Sequence, residues 1–149
     1  AKKELLEKAR EVGGNNLGPW VRKYMKGKEG PEMGWSVGFI SWCFLQIWPN
    51  FNYTVSADHL VRHAKSMGWY YPPGVGYAPE AGDVFVLINH SGNATHAGFV
   101  EKIIDKNLIQ TIEGDVSGAN IDGGIVARST RSIGGKGFIH FPNNPQAVD

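Results

Sequence analysis

The hydrophobic positions of this chain change their period once. From residue 3 to about residue 67 they recur every three or four residues, and from residue 83 to 141 they fall in short alternating runs. The first part predicts helices and the second predicts strands. Leu5, Leu6, Ala9 and Val12 form one apolar stripe between charges, a helix over residues 3–13 that Gly13-Gly14-Asn15-Asn16 ends. Gly18-Pro19 opens a short helical piece through Trp20, Val21 and Tyr24, and a polar Gly/Pro-containing loop follows over residues 26–34. From Ser36 to about Trp48 nearly every face is apolar, which suits a helix enclosed at the centre of a domain; Pro49 stops it. Ser56 is placed to cap another helix, Ala57 to about Met67, with Leu60, Val61 and Ala64 inward and Gly68 closing it.

Pro72-Pro73-Gly74 and residues 76–82 make a turn-rich connection. Beyond it, residues 83–89, 96–104, 107–113, 124–130 and 138–141 read as five short strands separated by Gly, Asn and Asp turns. No helix-length segment lies between them, so the sheet is expected to be antiparallel. The fold class is α+β: N-terminal helices packed on a curled antiparallel sheet of five to six strands, forming one domain over residues 1–149.

Composition narrows the possibilities. In 149 residues, 42% hydrophobic and 11% aromatic content is enough to close one core. A net charge of +1 with scattered Lys and Arg excludes the basic field of a nucleic-acid binder. The longest apolar run, Val37 to Trp48, is interrupted and well short of the roughly 20 residues of a membrane span. The start, Ala-Lys-Lys-Glu, has neither Met nor the apolar stretch of a signal peptide and is expected to be a processed or cut end; it leaves the export route open. Cys43 is the single cysteine, so there is no internal disulfide and no Cys-based zinc cage. Asn52, Asn89 and Asn93 stand in glycosylation-like triplets, a pattern short enough to arise by chance.

Three segments concentrate residues with chemical capacity. Trp35-Ser36-Val37-Gly38-Phe39-Ile40 places a hydroxyl at the start of the enclosed helix, where unpaired N–H groups and the helix dipole favour negative charge. Thr95-His96-Ala97-Gly98-Phe99-Val100 carries a histidine on a strand, and Ile112-Glu113-Gly114-Asp115 brings a carboxylate onto the next strand if residues 105–107 make the turn between them. With Gly82-Asp83 leading into an apolar strand, this ordered set resembles the CHAP family, the cysteine- and histidine-dependent amidohydrolases and peptidases that cut bacterial cell-wall peptides. The resemblance covers roughly residues 3 to 141. It implies a papain-like fold and a groove for an extended peptide, with His96 taking a proton from the nucleophile across the helix–sheet junction and Glu113 orienting the imidazole. In the nucleophile's place, where the family has cysteine, stands Ser36; Asp115 stands where the family offers Asn, and its charge makes that carry-over the weakest.

Other readings stand beside these. Ser36 alone would be an ordinary helix N-cap. Cys43 lies seven residues along the same helix, about 10 Å deeper, and fits an inert core thiol. His59 and His63 share the i, i+4 spacing of zinc peptidases but lack the intervening glutamate, and fit an exposed helix face. His90, Asp83 and Asp122 fall in no known ligand spacing, so no metal and no cofactor are expected. The resemblance implies a peptidoglycan endopeptidase or amidase from a phage lysin or antibacterial effector, held in an inactivated Cys-to-Ser form. The partners it implies are stem or cross-link peptides and, for a toxin, an immunity protein, with action in the cell wall or periplasm. The alternative is a natural pseudoenzyme that binds wall peptides without cutting them. Replacing Glu113 by Gln is expected to lower cleavage only mildly and with little loss of fold, and replacing Asp115 by Asn to be tolerated or helpful.

Overall fold

A computed structural model describes residues 1–30, 34–117, 124–142 and 146–149. Among them, helices α1 (Lys2–Leu6), α2 (Pro19–Tyr24), α3 (Ser36–Leu45) and α4 (Ala57–Met67) precede strands β1 (Tyr70–Tyr71), β2 (Val84–Ile88), β3 (Ala94–Ile103), β4 (Leu108–Val116), β5 (Ile125–Ser132) and β6 (Gly137–Ile139). The strands form one six-stranded sheet in the order β1-β6-β2-β3-β4-β5, antiparallel at every pairing. This is the α+β arrangement expected from the change of period. No helix among the described residues is long and apolar enough to cross a membrane.

Helix α3 is enclosed because it has apolar neighbours on both sides. The Tyr24 ring packs edge-on against Phe39 and Trp42, at 5.2 and 5.5 Å between centroids. On the sheet side Phe39 and Phe44 meet Phe99, and Phe44 stacks on Phe51 at 4.6 Å. The one buried hydroxyl within the helix, Ser41, is satisfied by Thr54, donating to its carbonyl and accepting its N–H. Helix α4 follows its sequence signals: Ser56 Oγ accepts the His59 N–H, and Gly68 closes the helix at φ +76°.

The N-terminal helix is shorter than its stripe predicts. It ends at Leu6, Lys8 turns the chain at φ +56°, and residues 9–11 run beside β5. There Ala9 accepts the Val126 N–H at 2.9 Å and Glu11 donates its N–H to Gly124 at 2.9 Å. The edge of β5 offers unpaired ladder groups, and satisfying them outweighs two further turns of a marginal helix. Leu6, assigned to the inward stripe, is 82% exposed as a result. Sequence reading also missed β1, which lies between α4 and the turn-rich connection and pairs with the outer edge of β6.

The sheet has two unlike faces, and the alternation along each strand decides which residue meets which. Ala97 and Phe99 of β3 and Ile112 of β4 enter the core beneath α3. Phe85, Val100, Ile109 and Phe138 form a smaller cluster on the opposite face. Gly114 lets β4 approach the helix: a Cβ there would lie 2.8 Å from Phe39 Cβ and 3.0 Å from Trp35 Cζ3. Both neighbours are fully buried. Gly114→Ala is therefore expected to destabilise the fold by about 1–3 kcal/mol through overpacking, read as a lower urea midpoint with an unchanged slope.

Candidate functional site

The residue that starts α3 is set by its predecessor. Trp35 is fully buried and stacks on Tyr24, with ring centroids 5.6 Å apart. Its backbone N–H donates to Asp115 Oδ2 at 3.1 Å, and its indole Nε1–H donates to Glu11 Oε1 at 3.0 Å. Both polar hydrogens are thus held by carboxylates, one from the N-terminal segment and one from β4. Trp35, rather than Ser36, occupies the N-cap. Ser36 is the first helical residue, half-buried, and its hydroxyl makes no hydrogen bond among the described residues. The capping alternative is therefore set aside: the hydroxyl sits at the positive end of α3 with no structural partner.

His96 and Glu113 meet directly. Nε2 of His96 lies 2.8 Å from Glu113 Oε1, with His96 19% exposed and Glu113 fully buried. Glu113 also receives Arg131 through two bonds of 2.7 Å, Nε to Oε2 and Nη2 to Oε1, and the Thr111 hydroxyl at 2.5 Å. Burial alone would push this carboxyl up, but the bonds from Arg131, His96 and Thr111 outweigh it and hold the group down at about 2. An ionised Glu113 only accepts, so His96 Nε2 carries the proton and Nδ1 is the basic nitrogen.

His96 alternates with Ala97 and Phe99, which face α3, so it projects from the other face, where its ring lies 6.1 Å from Phe85. Asp115 links this end of the sheet to the helix start. Its φ of +59° and the register shift between Glu113 and Val116 turn its side chain toward Trp35. It also lies within electrostatic reach of His96. The structure thus joins His96 to Glu113 by a bond and sets Ser36 beside the Trp35–Asp115 tie, but it shows no bond between Ser36 and His96.

Asp115 is electrostatically the opposite of Glu113. Burial raises its carboxyl, the Trp35 N–H partly opposes that, and the neighbouring Glu11 carboxyl pushes it further up. Glu11 is itself buried, and its Oε2 has no hydrogen-bond partner among the described residues. Among the described residues, carboxylate oxygens outnumber N–H donors here.

The remaining candidates separate cleanly. Cys43 is 3% exposed, and burial pushes its thiol up to about 11, partly offset by the nearby N-terminal ammonium. His63 packs edge-on against Trp69 while His59 is exposed. Asp83 is buried at the start of β2, accepting from Tyr77 and the Glu80 N–H and bonded to His140 Nδ1 at 2.7 Å. His90 is exposed, and Asp122 lies outside the described residues. Cavities of about 360 and 320 Å³ lie beside α4 and beside the β5–β6 turn, and neither is lined by Ser36, His96 or Glu113. Sequence reasoning missed Thr111, Arg131 and Glu11. Thr111 was recoverable, being two residues before Glu113 and so on its face of the strand; the other two depend on pairings that no local pattern announces.

The two carboxyls predict opposite pH behaviour. Glu113 titrates lower in the folded protein than its ordinary 4.5, so its stabilisation is present above that value and is lost as pH falls from about 4.5 to 2, about 3 kcal/mol in all. Thermal melts should show this acid loss, with part of it arising from Glu101, which Arg128 also holds low. The small loss of fold expected of Glu113→Gln is revised: in either flip the amide NH₂ faces a donor of Arg131, so the variant should lose about 3 kcal/mol at pH 7 and show a shallower acid slope. Asp115 is raised, so its stabilising form exists at low pH and is lost as pH rises. Asp115→Asn keeps an acceptor for Trp35, relieves Glu11 and tolerates positive φ; it should gain about 1 kcal/mol at pH 7 and less at pH 3.

Residues 26–115, more than half of the chain, match the family model of the CHAP domain. No curated protein matches the sequence. The matched span begins in the loop before Trp35 and ends at Asp115, so it contains Ser36, His96 and Glu113 but not Arg131. The family's chemistry is hydrolysis of peptidoglycan. On this match, and on an α+β architecture in which helices precede one antiparallel sheet, the chain belongs to the CHAP domain family.

Proposed function

We propose that this chain is the serine form of a peptidoglycan endopeptidase or amidase whose active form carries cysteine at position 36. The observation that carries the reading is the 2.8 Å bond between His96 Nε2 and buried Glu113, which leaves Nδ1 as a base at the end of the sheet where α3 starts. In the cysteine form the thiol gives its proton to His96 Nδ1, and the thiolate, favoured by the first turn of α3, attacks the carbonyl carbon of an amide in a stem or cross-link peptide. The imidazolium then protonates the leaving amine. A water, deprotonated by the same nitrogen, releases the acyl group from sulfur.

With serine in place, the scaffold keeps its shape and loses most of the attack. A helix start that ionises a thiol of pKa about 8.5 is too weak to ionise an alcohol, and no bond from His96 compensates. Action on the bacterial wall, by a phage lysin or by an effector paired with an immunity protein, fits a domain of this chemistry.

Ser36→Cys should release muropeptides from purified peptidoglycan, seen by mass spectrometry, and Cys43→Ser in that background should leave the rate unchanged. Iodoacetamide at neutral pH should label position 36 quickly and the buried Cys43 slowly. His96→Ala should lower the rate of the cysteine form about 10²- to 10⁴-fold with little change in melting. Activity should persist after EDTA treatment and dialysis. A cysteine form that releases nothing from any wall tested, while still binding wall peptides, would favour a natural binding protein; full activity in His96→Ala would remove the site assignment.

A further inference from the structure

We propose that Arg131 is a positioning residue for His96, acting through Glu113, and this rests on His96 being the base of the reaction above. The Glu113 carboxylate has about four acceptor directions, and four donors fill them. Oε1 receives His96 Nε2 and Arg131 Nη2, while Oε2 receives Arg131 Nε and the Thr111 hydroxyl. Two of the four come from one rigid planar fork. The guanidinium therefore fixes the plane of the carboxylate, and that plane fixes where Oε1 meets the imidazole. With Arg131 removed, Thr111 and His96 alone would leave the carboxylate free to rotate about its last torsion. The imidazole could then turn over or exchange tautomer, and Nδ1 would no longer be held as the open nitrogen.

Arg131 is itself held for this task. Its guanidinium lies 5.2 Å from the centroid of Phe85, and the His96 ring lies 6.1 Å from the same ring, so Phe85 is a common floor for both. Gly98 leaves the space between them: a Cβ there would come within 2.6 Å of both Glu113 Cγ and Phe85 Cε1. Arg131 belongs to β5, beyond the residues that match the family, so the span containing the base and its carboxylate does not contain the group that orients them. A lysine at 131 would supply the charge but not the fork.

The test reads the imidazole directly and needs no turnover. In protein carrying ¹⁵N-labelled histidine, the His96 signals are assigned by their loss in His96→Ala, and the tautomer is read at mildly alkaline pH. The parent should show the Nε2–H form almost alone. Arg131→Gln and Arg131→Lys should both show a mixture, with at least about a fifth of the Nδ1–H form. In the Ser36→Cys background Arg131→Lys should lower kcat at least about tenfold with KM within about twofold. If Arg131→Gln does not fold, Arg131→Lys decides alone. Parental ¹⁵N shifts in a folded Arg131 variant overturn the proposal whatever kcat does, and so does an unchanged kcat in an active Arg131→Lys enzyme. An inactive Ser36→Cys parent counts against the function proposed above, while the tautomer still decides the role of Arg131.

Discussion

The two hydrogen bonds that hold Trp35 are the constraint on which the rest of the site depends. Its indole N–H is bound by Glu11, and its backbone N–H by Asp115, residues far apart in sequence. Together they tie the N-terminal segment, the start of α3 and the end of β4 to one buried side chain, which itself stacks on Tyr24 of α2. Charge-assisted bonds to buried carboxylates are directional and expensive to leave unmade. The first residue of α3 consequently has little freedom. Ser36 makes no capping bond, and its hydroxyl has no hydrogen-bond partner among the described residues.

Two carboxylate environments lie within one short stretch of β4, and their unlike behaviour follows from counting donors. Glu113 has as many donors as it can accept, two of them from one cation, so it is ionised despite complete burial. Asp115 has one backbone donor and a carboxylate neighbour, so its charge is disfavoured. The positive φ and register shift at Asp115 separate the two, sending one side chain toward the imidazole's face and the other toward the helix. A bond network around the imidazole and a tie that seats the start of α3 are thereby built from residues two apart.

The contrast between positions 36 and 43 shows how place on one helix changes chemistry. Position 36 is half-buried at the positive end of α3, where negative charge is favoured. Cys43 is two turns further in, and desolvation dominates there and keeps its thiol protonated. The chain thus places its single thiol in the interior of the helix and an alcohol at its positive end.

Local physics made much of the fold legible. The change from helical to alternating period separates the helices from the sheet, Ser56 and Gly68 delimit α4, and the apolar faces of residues 36–45 require a helix enclosed on both sides. The pairing of His96 with Glu113 was legible too, because a short turn joins their strands and places them side by side. What sequence could not decide depends on which distant groups meet. The stripe over residues 3–13 was read as one helix, yet the free edge of β5 captured its second half, because unpaired ladder groups outweigh weak helix propensity. The face on which His96 projects was settled by strand alternation relative to α3, and the clamp of Arg131 on Glu113 by the pairing of β5 with β4. Helix ends and strand periods are set by neighbours along the chain; which donor fills a buried acceptor is set by tertiary packing alone.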